Sequence, residues 1–192
     1  MKVQKNICNL IAIACVLTAV SCKKENNKST TTTEETPKVT APEKKVKVSM
    51  EAKSNSTVSG NVVFTEKEGV VSMTAVFDGL NPGTHAIHLH EKGDCSAADG
   101  TSSGGHWNPT FSKHGKWGDP DGYHKGDIGN FTADENGNGT ITFKTNEWCI
   151  GCGDDKKDIL GKGVIVHQGT DDFTSQPSGD AGARVSCGGI IE

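Results

Sequence analysis

The sequence predicts an all-β domain of about eight short strands closing into one barrel or sandwich, with long loops carrying most of the polar residues. Two observations lead there. Hydrophobic residues make up only 33% of the 192, aromatics 5%, and glycine takes 24 positions. That is too lean for a helical bundle or coiled coil, which need sustained apolar periodicity. Where apolar residues do cluster, they alternate with polar ones in short runs broken by Gly, Asn and Pro. The net charge of −4 offers no basic face for phosphate, so no nucleic-acid partner is expected.

The N-terminus reads as an export signal. Lys2 and Lys5 precede an apolar run over residues 7–20 that is too short and wrongly flanked for a stable membrane span. It ends Ala19-Val20-Ser21-Cys22, which resembles the lipobox of bacterial lipoproteins, although Ala19 stands where Leu is commoner. That resemblance implies a signal peptide over residues 1–21, cleavage before Cys22 and lipid on Cys22. The alternative is an ordinary secretory signal in which Cys22 has no role. Residues 22–44, with Thr30–Thr33, Pro37 and Pro42 and almost no apolar side chain, read as a disordered tether. The folded domain is expected over residues 45–192.

Within it, residues 46–50 alternate as a half-buried strand. Residues 58–65 and 70–77 follow, joined by a turn at 66–69. Asn81-Pro82-Gly83 turns the chain into an extended stretch at 84–90. Residues 91–127 lack apolar periodicity but are rich in Gly, His and Asp, and a loop this long in a compact domain points to function. Strands resume at 129–133 and 140–144 around Asn136-Gly137, then at 162–167 and 184–191.

Of seven cysteines, Cys8 and Cys15 fall in the signal and Cys22 at its end. Cys95, Cys149, Cys152 and Cys187 remain, an even number that favours disulfides in an exported domain. The histidines carry the chemistry. In a strand, alternation puts His88 and His90 on one face and His85 on the other. Two imidazoles so placed can reach one ion. The long loop adds His106, His114, His124 and Asp127, three imidazoles and a carboxylate that would complete a tetrahedral zinc site. His167 ends an apolar strand, with Asp171 close behind.

At this point several motifs together resemble the copper/zinc superoxide dismutases. They are His85-Ala86-Ile87-His88-Leu89-His90-Glu91-Lys92-Gly93-Asp94, Gly105-His106-Trp107-Asn108-Pro109, His124-Lys125-Gly126-Asp127-Ile128-Gly129-Asn130, Val166-His167-Gln168-Gly169-Thr170-Asp171-Asp172 and Gly179-Asp180-Ala181-Gly182-Ala183-Arg184-Val185-Ser186-Cys187-Gly188. Their order and spacing carry the likeness from about residue 45 to the end. It implies an eight-stranded Greek-key β-barrel or sandwich with long metal-binding and electrostatic loops. It implies dismutation of superoxide to oxygen and hydrogen peroxide by a redox-cycling copper bridged to a structural zinc. By matching position, His88, His90, His106 and His167 would hold copper, and His106, His114, His124 and Asp127 zinc, with His106 shared. Asp171 would tie a copper histidine to a zinc histidine. Arg184 would guide the superoxide anion, and Cys95 and Cys187 would form the intradomain disulfide.

Three features depart from the family pattern. Cys149 and Cys152 add a C-x-x-C, read first as an extra local disulfide, with a redox pair or half of a metal site as alternatives. Residues 168–183 contain no Lys, so anion steering would be weaker or would come from Lys113, Lys116 or Lys125. Thr101-Ser102-Ser103-Gly104 lies where part of the family sets its dimer interface, and both monomer and homodimer stay open. Two other functions stay open as well: an exported module that binds or delivers copper without turnover, and a structural lipoprotein that keeps only zinc and the disulfide. The expected location is the cell envelope, either periplasm or outer surface.

Overall fold

A computed structural model describes residues 42–192. The export signal, Cys22 and most of the tether lie outside the described residues. Eight strands form there: β1 Lys44–Ala52, β2 Ser59–Lys67, β3 Val70–Asp78, β4 Gly83–His90, β5 Gly129–Ala133, β6 Gly139–Thr145, β7 Gly163–His167 and β8 Arg184–Gly189. Every neighbouring pair is antiparallel. The order β1-β2-β3-β6-β5-β4-β7-β8 closes into a barrel, so no sheet edge is left open. The neighbours β3–β6 and β4–β7 are not consecutive in the chain, which gives the Greek-key connection.

Alternation builds the core. Val46, Val48 and Met50 of β1, Val62 and Phe64 of β2, and Val71, Met73, Ala75 and Phe77 of β3 all turn inward. The β2–β3 hairpin is tighter than the sequence suggests. Pairing runs to Lys67↔Val70, leaving Glu68-Gly69 as a two-residue turn with φ of 52° and 76°. Positive φ at both positions is the type I′ geometry that matches strand twist. The only helical element among the described residues is the short 3₁₀ turn Thr101–Ser103.

One strand departs from simple alternation. In β4 every residue from His85 to His90 is buried. Ile87 and Leu89 face the barrel core. His88 and His90 face outward and are covered by the two long connections, residues 91–128 and 168–183.

Candidate metal centre

Three adjacent strands and one loop build the site. His88 and His90 stand on β4. β7 lies beside it, with Ile87 opposite Val166 and His90 opposite Gly163, and carries His167 at its end. β8 lies beside β7 and places Arg184 opposite His167, just past a register shift at Val166/His167. On its other side β4 pairs with β5 only as far as Ile87↔Gly129. The loop fills the freed edge. Trp107 N–H donates to Leu89 O (2.8 Å), Leu89 N–H to Gly126 O (2.9 Å), and Glu91 N–H to Gly105 O (3.0 Å). Backbone pairing therefore brings His106 beside His90, and Gly126 draws in His124 and Asp127.

The result is two buried clusters sharing one ring. His88, His90, His106 and His167 form one, and His106, His114, His124 and Asp127 the other; in each, the potential ligand atoms lie within 4.8 Å of one another. The His88 and His106 rings are 3.9 Å apart, centroid to centroid.

The orientation of each ring is fixed from behind. Nδ1 of His90 donates to Gly104 O (2.9 Å) and Nδ1 of His167 to Gly182 O (3.2 Å). Nε2 of His88 donates to Asp171 Oδ2 and Nε2 of His114 to Asp171 Oδ1, both at 2.8 Å. A ring that donates through one nitrogen presents the other as a bare lone pair. Six buried ring nitrogens make no hydrogen bond: Nδ1 of His88, His114 and His124, and Nε2 of His90, His106 and His167; of these, Nδ1 of His114 and of His124 lie against the Asp127 carboxylate, at 3.0 and 3.3 Å. Six buried, unpartnered ring nitrogens converging on two points are costly unless a cation takes them up. The residues therefore fit two metal ions. Four imidazoles suit copper, and three imidazoles with one carboxylate suit zinc.

Charge separates the two clusters. Burial pushes His167 down to about 3 and His106 down to about 4. It also holds His90 well below the usual histidine range, helped by the neighbouring His106 and His167. For His114 burial opposes the charge, but the Asp127 carboxylate, 3.0 Å from Nδ1, and the bond from Nε2 to Asp171 outweigh it and raise the ring to about 9. Asp127 and Asp171 are held far below the usual carboxylate range. The bond from His106 and the close rings of His114 and His124 do this for Asp127, and the bonds from His114 and His88 for Asp171, against the burial that would otherwise raise them.

A cavity of about 400 Å³ opens onto the first cluster. Its lining includes His90, His106, His167, Arg184 and Glu91. Cys95 and Cys187, 92 residues apart, are disulfide-bonded, and so are Cys149 and Cys152, 3 apart.

A family profile described as "Copper/zinc superoxide dismutase (SODC)" matches residues 58–190. The chain belongs to that family. An extracellular superoxide dismutase [Cu-Zn] of Drosophila melanogaster is 37% identical over 144 residues, covering 71% of this chain and 77% of the relative. Among solved structures, a double mutant of a SOD-like protein from Bacillus subtilis is 30% identical with a TM-score of 0.67, covering 76% of this chain and 97% of the other. The clock protein EA4 is 32% identical with a TM-score of 0.66, covering 77% and 94%.

Of the residues named from the sequence, His88, His90, His106, His114, His124, Asp127 and His167 make up the clusters, Asp171 bonds His88 and His114, and Arg184 shares a cavity wall with His90, His106 and His167. His85 stays outside them, its ring nitrogens 2.9 Å from His167 O and 2.7 Å from Asn81 O. Asp172 is exposed and binds Thr174 and Ser175, which hold it down near 2. The lysines offered for steering are mostly engaged: Lys113 with Asp121 at 3.6 Å, and Lys125 with Glu147. Sequence reasoning missed the residues that brace the loops. Asn130 exchanges two hydrogen bonds with the backbone of Asp171. Gln176 does the same for His114. Glu91 at the cavity wall was also missed, although it directly follows His90.

Proposed function

We propose that this chain dismutates superoxide at the His88/His90/His106/His167 cluster. Copper would be held there, and zinc by His106, His114, His124 and Asp127. The observation that carries this reading is the set of six unpartnered ring nitrogens arranged in two groups around His106. Bound copper would supply one-electron exchange, which zinc does not. The overall change is two superoxide anions and two protons giving oxygen and hydrogen peroxide.

The chain's own residues do the rest. Arg184, the cation on the cavity wall, attracts a small anion and orients it. His106 alone belongs to both clusters. Its Nδ1 is fixed toward Asp127, 2.8 Å away, while its Nε2 faces the other three imidazoles. A proton held at Nε2 lies where the reduced product must be protonated. Burial favours the neutral ring, so that proton is readily released. Asp171 spans the two clusters and fixes the tautomers of His88 and His114.

The two disulfides suit an oxidising compartment. They support the reading of an exported protein of the cell envelope; a lipid anchor on Cys22 rests on the lipobox-like Ala19-Val20-Ser21-Cys22 alone. The test of the assignment is His167→Ala. Copper content and dismutation should be lost while zinc stays at about one per chain. Wild-type dismutation in a metal-verified sample of that variant would end the reading.

A further inference from the structure

We infer that Glu147 and Trp148 are positioning residues for His124, which rests on reading His106, His114, His124 and Asp127 as the zinc set. His124 sits in an irregular part of the long loop, with no strand to fix its ring. Both of its chain neighbours are held by these two consecutive residues. The Tyr123 hydroxyl donates to Glu147 Oε1 at 2.7 Å. The Lys125 ammonium pairs with Glu147 Oε2. The Trp148 indole N–H donates to Lys125 O at 2.8 Å.

The clamp is anchored on the barrel, so it is the loop that is being held. Glu147 N–H donates to Thr145 Oγ1 at the end of β6 (2.9 Å). Trp148 is only 1% exposed. Its ring packs on Phe143 (5.0 Å), Trp117 (5.7 Å) and Phe64 (6.3 Å). Directly after it, Cys149 is tied to Cys152 by the short disulfide and to Lys157 and Ile159 through its backbone. The aromatic body of Trp148 fills the core. Its N–H and the Glu147 carboxylate are separable from that packing, and both are directed at the residues flanking His124. This also gives the Trp-Cys-x-x-Cys segment a role that the copper and zinc clusters alone leave unassigned.

The experiment compares Trp148→Phe, Glu147→Gln and the double variant that combines them with wild type in the full protein. Trp148→Phe keeps an aromatic body and loses the N–H. Three quantities are read: zinc affinity by chelator competition, the visible absorption of Co(II) placed in the zinc set, and the unfolding midpoint of the metal-free protein. The expected result is about ten- to hundredfold weaker zinc binding in the double variant, with a shifted Co(II) spectrum. A lower unfolding midpoint with unchanged zinc affinity and unchanged Co(II) spectrum would overturn the proposal. Glu147, with its side chain 31% exposed, carries the test if Trp148→Phe fails to fold. His124→Ala is the control. If it leaves zinc affinity unchanged, the zinc reading falls and the proposal falls with it. If it loses zinc while Glu147→Gln and Trp148→Phe bind like wild type, only the positioning role falls.

Discussion

Arg184 donates through Nη1 to the carbonyl oxygen of Gly100 at 2.8 Å, across 84 residues of chain. A second bond from the same nitrogen reaches Ser103 Oγ at 3.0 Å. One edge of the guanidinium is thus pinned to the 3₁₀ turn, and the rest is left to the cavity it lines. The Cys95–Cys187 disulfide ties the start of that loop to β8, three residues beyond Arg184. On the proposed function, a planar fork held on one side would aim at an anion in a way that a flexible ammonium would not.

Replacing Arg184 should therefore separate capture from metal binding. In the copper- and zinc-loaded protein, Arg184→Ala should lower kcat/KM by about tenfold or more and flatten its dependence on ionic strength. Arg184→Lys should fall between, keeping charge but losing the bond pattern. Copper content should not change. Equal catalysis across ionic strengths would remove Arg184 from the anion path.

The link between the clusters is Asp171, with one oxygen on His88 and one on His114. Asp171→Asn can accept from only one of them and turns an N–H toward the other. Copper and zinc affinities should both fall, by about ten- to hundredfold. Gly179→Ala should act in the same direction. Gly179 has φ of +72°, and a Cβ there would run into Asp171 Oδ1 and His114 Nε2. Chelator competition for each metal checks both variants. Unchanged affinity for both metals would contradict the brace.

Zinc uptake should depend on pH and copper uptake should not. In the metal-free protein His114 is raised to about 9, so at neutral pH it carries a proton that zinc must displace at Nδ1. Apparent zinc affinity should rise about tenfold per pH unit below that value and level off above it. His90 and His167 are lowered by burial and already neutral at pH 7, so copper has no proton to displace from them. Zinc affinity that stays flat from pH 6 to 9 would contradict the His114 assignment.

The two disulfides should contribute unequally. Cys95–Cys187 closes a loop of 92 residues and Cys149–Cys152 one of 3. Replacing the first pair by Ala should cost about 2–5 kcal/mol of unfolding free energy, and the second about 2 kcal/mol or less. Denaturant melts of both variants give the comparison. An equal or reversed order would mean that chain entropy is not the main contribution.

Much of this was legible in the sequence because strands write their pattern locally. The alternation of Val46, Val48 and Met50 marks β1, and the H-x-H of β4 marks a shared face. The order in which strands join was not legible from local pattern. β3 meets β6, and β4 meets β7, through contacts between segments far apart in sequence. The loops were readable only as lists of ligands. Their braces are Asn130 on Asp171, Gln176 on His114, and Glu147 and Trp148 around His124. Each is an ordinary polar or aromatic residue whose role exists only once the chain is folded. The ion pairs of Lys113 with Asp121 and of Lys125 with Glu147 were hidden for the same reason.

The most direct test of the central claim is superoxide decay, followed on one preparation in its copper- and zinc-loaded and metal-free forms, with metal content measured on the same samples. The account predicts fast decay that tracks copper, at about one copper and one zinc per chain, and none in the metal-free form. Retained zinc and copper without copper-dependent decay would contradict it, and the site would then be a metal carrier rather than a catalyst.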